Sequence, residues 1–416
     1  MGRVNIGWIF VCVFLHALMN TTDRARGQGL ERESLSVENV NRQLRQSGAN
    51  PEYNLRLGPV TLRAEAEVTT SFNDNTNLAK QGRIADMIVT PFALLRARWQ
   101  VSELNTVDLH LGIGYQMYLT HSRYNDLLLA PDSIAQFNFS VGEVVMNMHD
   151  SFSYQQDPTQ IGQLSNATRL SRFQNDAGVG ATWQLGSVIV SLNYDHGNLW
   201  VTQSAYSYLT NQSDTVSPKV TVKVGDRIDV GVDASYSSVR YEKSFQNDYS
   251  TYSAGPFVSL KFSDFLSVDA RVGGYLSEFS RGGGNGDSEN VSSYYLSGGV
   301  NHKINNAFSE ALTTGHEFLP GLTSNFTERV YANYTDTWQA SEKIEVGSSL
   351  WWENLTDSNA AFRETSNRYS FGVNVTDILS THATLSLGYQ YILKDANPSE
   401  LSYNQNLGTV GFRYQF

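Results

Sequence analysis

The chain of 416 residues has a formal net charge of −11, with 40% hydrophobic and 17% charged residues. This acidity argues against nucleic-acid binding, which needs a concentrated positive surface. With 22 Tyr and 20 Phe but only one Cys, the composition favours an all-β fold and argues against both a disulfide framework and a thiolate metal site.

The first 27 residues differ from the rest of the chain. Arg3 precedes an apolar run over residues 6–19, which is too short to cross a bilayer but typical of the core of a secretory signal peptide. We predict that residues 1–27 are a signal peptide cleaved between Asn20 and Gln28; a retained N-terminal anchor is the alternative. Cys12 would be removed with it.

Residues 28–58 show no alternation of apolar and polar positions. A short polar helix over residues 36–46 is compatible with the pattern, with disorder as the alternative. We expect this segment to be a periplasmic N-terminal extension. It is too small to form the plug domain that closes the lumen of gated barrel receptors.

From residue 59 to residue 416 the chain alternates apolar and polar positions. Residues 60–68 place apolar side chains at even positions, and residues 107–119 place them at odd positions. Successive strand residues point to opposite faces, so each run has one apolar and one polar side. These runs reach the length that a tilted strand needs to cross a bilayer, whereas strands of soluble sandwiches usually have about five or six residues.

The connections between these runs alternate in length. Tight turns are expected near residues 102–104, 142–143, 186, 225–227, 263–264, 304–306, 340–343 and 379–381. Longer polar loops, such as residues 155–172, lie between them. This pattern predicts a closed antiparallel transmembrane β-barrel of about 18 strands, with short periplasmic turns and long extracellular loops. Residues 307–314 are the weakest strand, and 16 strands are the alternative.

Aromatic residues lie near both ends of the predicted strands, on the apolar face. Near the short turns they are Trp99, Trp183, Phe262 and Trp338. Near the long loops they are Tyr154, Tyr194, Tyr236 and Trp352. Aromatic side chains favour membrane interfaces, so these residues predict two aromatic girdles.

The last strand carries a family resemblance. Phe412, Tyr414 and Phe416 alternate along it and end on a terminal Phe, which is similar to the C-terminal signal of outer-membrane proteins. The segments RLGP at residues 56–59, FNDN at 72–75 and PF at 91–92, together with Asp86, resemble the family called β-barrel porin 2. The resemblance implies an outer-membrane barrel of a Gram-negative bacterium, recognised by the barrel assembly machinery and often associated with exopolysaccharide systems.

The polar faces of two groups of strands carry charged residues that we expect to face the lumen. They are Arg63, Glu65, Glu67, Arg96, Arg98, Asp108 and His110 in the first group, and Lys219, Lys223, Asp229, Asp233, Asp269 and Arg271 in the second. A barrel of this width encloses water. The charges could form a transverse field that selects ions and small polar solutes, or they could only stabilise the wall by pairing across strands.

The lumen face also carries aromatic residues. They are Phe92, Tyr118, Phe257, Tyr275, Tyr295, Tyr331 and Trp351. Such rings can stack on saccharides, although they more often support an inward-folded loop.

No enzyme, metal site or cofactor is predicted. His149 and Ser151 share the inward face, but the adjacent Asp195 and His196 point opposite ways, so no nucleophile, base and orienting group converge. Residues 73–77 offer oxygen ligands to calcium but lack enough carboxylates, and we expect an ordinary turn.

These observations predict a passive outer-membrane channel for small hydrophilic solutes, ions or saccharides. The alternative is a non-conducting accessory barrel of an exopolysaccharide export or surface-assembly system. The expected surroundings are outer-membrane lipid and lipopolysaccharide, and no nucleic acid.

Deletion of Phe416 should impair assembly of the barrel rather than the properties of the folded protein, because Phe416 completes the outward aromatic stripe of the closing strand. We expect a lower level of folded protein in the outer membrane, measured by the heat-dependent gel shift. Wild-type levels of the folded species would contradict this role.

Overall fold

The computed structural model describes residues 55–159, 161–358 and 363–416. Within these ranges the chain forms twenty β-strands in one antiparallel sheet, with three short 3-10 helices in the loops. None of the described helices is long and apolar enough to cross a membrane. The predicted signal peptide and the predicted helix over residues 36–46 lie outside the described residues.

The strands follow one another along the chain with the following bounds. They are β1 (Leu55–Leu57), β2 (Val60–Asn73), β3 (Asp86–Gln100), β4 (Thr106–Tyr118), β5 (Asp126–Leu129), β6 (Ile134–Val141), β7 (Val144–Gln155), β8 (Arg172–Leu185), β9 (Val188–Val201), β10 (Asn211–Val224), β11 (Ile228–Tyr241), β12 (Tyr249–Lys261), β13 (Leu266–Phe279), β14 (Val291–Lys303), β15 (Phe308–Pro320), β16 (Phe326–Gln339), β17 (Ile344–Asp357), β18 (Thr365–Ile378), β19 (Ala383–Asn397) and β20 (Tyr403–Gln415). The 3-10 helices are η1 (Ser122–Tyr124), η2 (Ser204–Leu209) and η3 (Ser399–Leu401).

The sheet closes on itself. Each strand pairs with the next, except that β5 and β6 both lie between β4 and β7, and β20 pairs with β2. Strands β5 and β6 share one place in the wall, and β1 pairs only with β2, so the ring has 18 places, as the alternation predicted. All eight predicted tight turns are present. The weakest predicted strand, over residues 307–314, is part of β15, which excludes the 16-stranded alternative.

The wall has a bulge between β5 and β6, where Pro131 cannot donate to a strand ladder. The amide of Ser133 donates to the carbonyl of Ala130 at 3.0 Å, and the Ser133 hydroxyl accepts from the Gly112 amide at 3.2 Å. A Cβ at position 112 would collide with the Ala130 side chain. Glycine is therefore required for the wall to stay bonded at this bulge.

The outer face is mainly apolar, with aromatic side chains at both heights where girdles were predicted. Trp99, Trp183, Phe262 and Trp338 are exposed near the short turns. Tyr194 and Tyr236 are exposed near the long loops, with Tyr154 and Trp352 half-buried beside them. Phe412, Tyr414 and Phe416 are exposed along the closing strand.

The seam between β2 and β20 is held at three heights. The Phe416 amide donates to the Ala64 carbonyl at 3.1 Å, and the Arg413 guanidinium contacts the Glu67 carboxylate at 2.6 Å. At the long-loop end, residues 73–75 bond to residues 404–406. Strand β1 pairs with residues 60–62 of β2, below the part that β20 covers. The segment predicted as a turn is therefore also a clamp on the seam.

Asn75 is the buried centre of this clamp. Its side-chain amide donates to the carbonyls of Asn404 at 2.7 Å and Ala79 at 2.9 Å, and its side-chain oxygen accepts from the Ala79 amide. Asn75→Ala leaves these groups unsatisfied, which should lower the free energy of unfolding by about 1–3 kcal/mol. The midpoint of heat- or urea-induced unfolding on semi-native gels should fall, and Gln81→Ala, on the exposed part of the same loop, should leave it unchanged. Equal midpoints for both variants would contradict the clamp.

Candidate functional site

The predicted lumen charges all lie on the inner face, because strand pairing puts them at the positions that alternate with the exposed apolar side chains. In the first group, Arg98 contacts Asp108 at 2.5 Å, and Arg63 pairs with Glu65. The Nε of Arg96 donates to His110, whose other ring nitrogen lies 3.2 Å from Asp132 on the bulge between β5 and β6. The charges of this group are linked by pairing across and along the wall.

In the second group, the three-residue turn Gly225-Asp226-Arg227 predicts a register in which Val224 lies opposite Ile228, and the strand pairing confirms it. Val224 lies opposite Ile228, Lys223 opposite Asp229 and Lys219 opposite Asp233. Gly225 has φ of 71°, the left-handed conformation that favours glycine and permits this tight turn. A shift of either strand by one residue would turn all of its charges outward.

Asp233 is the centre of the second group. Its carboxylate accepts from Arg271 at 2.9 Å and from the Tyr295 hydroxyl at 3.1 Å. The Lys219 ammonium lies 4.4 Å from the centre of the Phe257 ring. Two of the predicted inward aromatic residues thus take part in the charged group instead of leaving a free stacking platform.

The loop over residues 156–171, of which residue 160 lies outside the described residues, crosses the lumen. It leaves β7, and its far side contacts β15, β18 and β19 on the opposite wall. Gln163 donates to the Pro320 carbonyl at 3.1 Å, and Arg368 donates to the Thr159 carbonyl at 2.8 Å. A polar loop of this length was predicted from the sequence, but its inward course was not.

Lys394 of β19 holds this loop. Its side chain is 0% exposed, and its ammonium donates to the Gln163 carbonyl at 3.1 Å and the Ser165 hydroxyl at 3.0 Å. The same ammonium lies 2.7 Å from the Glu364 carboxylate, so the buried charge is paired. One lysine therefore ties the lumen loop to the far wall.

An apolar cluster forms where the loop crosses the mouth. It joins the loop to the β2–β3 loop, to β9 and η2 on one side and to β19 and β20 on the other. Its buried members are Leu78, Ile161, Leu164, Ala167, Leu170, Val201, Leu209, Ile392 and Tyr403. Burial of these side chains gives the loop a fixed position, because withdrawing it would expose apolar surface to water. The loop is thus a packed constriction.

A ladder of buried ions supports the constriction on the far wall. Arg329 contacts Glu317 at 2.7 Å and Glu353 at 2.8 Å, and Glu353 also contacts Arg368 at 2.7 Å. The Arg368 guanidinium lies 4.3 Å from the centre of the Trp351 ring. A Cβ at Gly162 of the loop would collide with the Glu353 carboxylate, so the loop packs directly on this ladder.

Sequence reasoning missed this ladder. Its members occupy inward positions near the long-loop ends of β15–β18, and the same alternation that selected the other charges would have included them. What the alternation could not show is that a loop buries them.

The inward His149 has both ring nitrogens engaged. Nε2 lies 3.1 Å from Asp195 and Nδ1 lies 2.8 Å from Asn147. The Ser151 hydroxyl instead donates to the Asp176 carbonyl, and His196 contacts Asp214 on the outer face. Asp195 and His196 therefore point opposite ways, as expected. The buried His149–Asp195 pair links β7 to β9.

A partly enclosed cavity of about 210 Å³ lies in the lumen beside the constriction loop. Aromatic side chains make up much of its wall on β12, β13, β15 and β16, and they include Tyr249, Tyr275, Phe279, Phe318 and Phe326. Arg172 and Gln174 supply polar groups at the side of β8. The cavity can hold a small ring-containing molecule.

Solved structures share this barrel fold. OccK2 (OpdF) of Pseudomonas aeruginosa is 10% identical with a TM-score of 0.52, covering 85% of this chain and 98% of that chain. The outer membrane protein OpdK of the same organism is 9% identical with a TM-score of 0.50, covering 85% and 99%. OccAB3 of Acinetobacter baumannii is 10% identical with a TM-score of 0.48, covering 85% and 99%. Identities this low show a shared fold alone.

In sequence, neither a family model nor a curated protein matches the chain. The resemblance to the β-barrel porin 2 family therefore stays a prediction.

Replacement of Lys394 by Met should release the constriction loop, because removing one partner of a buried ion pair costs about 3–5 kcal/mol. Trypsin should then cleave the folded barrel at Arg169, within the loop, at least about tenfold faster. Lys243→Met removes an exposed lysine from another long loop and should leave cleavage at Arg169 unchanged. Equal cleavage rates in two correctly folded variants would contradict the tether.

Proposed function

We propose that this protein lies in the outer membrane of a Gram-negative bacterium and lets small hydrophilic solutes cross it passively. The observation that carries the proposal is the closed 18-place barrel with an apolar outer face, two aromatic bands and a charged inner face. A closed wall leaves no strand edge unpaired in hydrocarbon, and the inner charges require water. The shared fold with the outer membrane protein OpdK supports the location.

The constriction determines what can pass. The loop and its apolar cluster occupy part of the mouth, so solutes must fit between this loop and the remaining wall. The ion ladder and the Lys394–Glu364 pair add little net field. In the ladder, Arg329 and Arg368 are matched by the carboxylates of Glu317 and Glu353, and Lys394 is matched by Glu364. Selection by charge then falls to the two groups deeper in the lumen. Small ions and short polar solutes fit this arrangement.

The accessory-barrel alternative, with loops that bind exopolysaccharide partners, has no support in the contacts described above or in the similar structures. A signal peptide over residues 1–27 and assembly through the C-terminal aromatic stripe remain part of the proposal, because the outer-membrane location requires export and assembly.

Replacing both Asp229 and Asp233 by Lys should shift the channel toward anions. A unit charge about 4 Å away changes the energy of an ion by about 1 kcal/mol in water, so two reversed charges predict a several-fold change in the anion-to-cation permeability ratio. The measurement is the reversal potential of single channels in a salt gradient.

The matched control, Glu242→Lys with Glu400→Lys, makes the same charge change on exposed loop residues and should have a much smaller effect. A wild-type barrel that folds but never conducts would overturn the channel function itself. An unchanged reversal potential in a conducting variant would show that Asp229 and Asp233 are away from the ion path.

A further inference from the structure

The wall changes its course between β14 and β15. Their pairing ends with Leu296 opposite His316, and in the described strands residues 291–295 continue to pair with β13 only. Residues 317–320 of β15 continue to pair with β16 only. The neighbouring strands have therefore separated before they reach their long-loop ends.

The separation has a direction. Phe318 of β15 and Phe326 of β16 occupy positions whose side chains would point outward in a regular wall. They nevertheless contact side chains of β13 that point into the lumen. Phe318 stacks on Tyr275 with ring centres 5.0 Å apart, and Phe326 lies 6.1 Å from Phe279. The outer face of one hairpin can meet the inner face of its neighbour only if the tip of β15–β16 is displaced into the lumen.

Loop contacts hold the displaced tip. Gln246 donates to the carbonyls of Gly321 and Leu322, and Asn247 donates to the Asn325 side chain at 2.8 Å. Gln163 of the constriction loop donates to Pro320. The step in the wall is thus built by specific hydrogen bonds and is not a frayed end.

A continuous series of rings crosses the step. Inside, Phe279, Phe326, Phe318 and Tyr275 line the lumen cavity. Phe318 then contacts His316 at 5.2 Å between ring centres, and His316 contacts Tyr294 at 4.6 Å. Tyr294 is 57% exposed on the outer face. Tyr252, which contacts Tyr236 of the long-loop aromatic band, lies opposite Leu276, whereas Tyr294 lies opposite Gly274, two residues farther from the long-loop end of β13. Tyr294 therefore lies just below that band.

One polar atom along this series lacks a partner. His316 is 6% exposed; its Nε2 lies 2.8 Å from Glu328, whereas its Nδ1 is buried with no hydrogen bond among the described residues. A buried nitrogen of this kind carries a desolvation cost unless a ligand or water satisfies it. A hydroxyl group on a ring that packs beside His316, against Phe318 or Tyr294, would supply the missing bond.

We propose that the step between β14 and β15 is a lateral portal that binds an uncharged, hydroxyl-bearing aromatic compound of the phenol class and passes it between the lumen cavity and the membrane interface. The rings on both sides of the wall favour an aromatic solute, and His316 provides its polar contact. A charged compound is excluded, because leaving the lumen at this height would take its charge into apolar surroundings. The inference rests on the membrane location in the proposed function, but not on ion conduction.

The test uses 1-naphthol with the barrel in nanodiscs, and 1-naphthyl sulfate as the charged counterpart. We expect 1-naphthol to bind and the sulfate not to bind. Lipids with brominated acyl chains should quench the fluorescence of bound 1-naphthol, because the portal opens to lipid. His316→Ala and Tyr294→Ala should each weaken binding about three- to tenfold, through loss of ring contacts.

Tyr369→Ala is the matched control. Tyr369 is an outward tyrosine of β18, 41% exposed, away from the step, and its replacement should leave binding unchanged. Tyr294→Ala changes an exposed side chain and keeps the test valid if His316→Ala does not fold. Absence of binding to the wild type, binding insensitive to both portal variants, or fluorescence unaffected by brominated lipid would each overturn the portal. Ion conductance measured in parallel tests the channel separately.

Discussion

The structure depends on one constraint: every backbone amide and carbonyl in an apolar surrounding needs a partner within the wall. Antiparallel strands satisfy this only when the sheet closes, which makes the β2–β20 seam as important as any single strand. The seam is accordingly reinforced by main-chain bonds at one end, an ion pair in the middle and the Asn75 clamp at the other end. Closure also creates an interior that the chain can fill or leave wet.

The two ends of the lumen differ in what fills them. Near the short turns, charged side chains pair across strands and leave room for water. Near the long loops, the lumen is crossed by a packed segment held by apolar burial and by Lys394. Buried ions of the ladder are tolerated there because each cation meets a carboxylate, and unpaired charges would be expensive to desolvate. In the proposed channel, the loop near the long-loop end limits the size of the solute, and the charged groups near the short turns select it by charge.

Irregularities of the wall have local causes. Pro131 removes a donor, and Ser133 with Gly112 restores the bonding at that bulge. The step at β14–β15 has a different origin, since hydrogen bonds from residues of two other loops draw the β15–β16 tip inward. At the first irregularity, the bonds of Ser133 restore the hydrogen bonding of the wall. At the second, two strands separate beside an aromatic cavity.

The sequence by itself determined the strands, the need for closure and the inner position of the charges, because a period of two reports directly which side of a strand meets an apolar surrounding. The structure decided between 18 and 16 places, since it includes β15 in the wall. The sequence also determined the β10–β11 register, since a three-residue turn leaves one alignment that keeps Lys219 and Lys223 inside. Only the tertiary structure decided the path of the 156–171 loop, the Glu317–Arg368 ladder and the step at His316. These features join residues far apart in the chain, and a polar loop has no periodicity that reveals which wall it will contact.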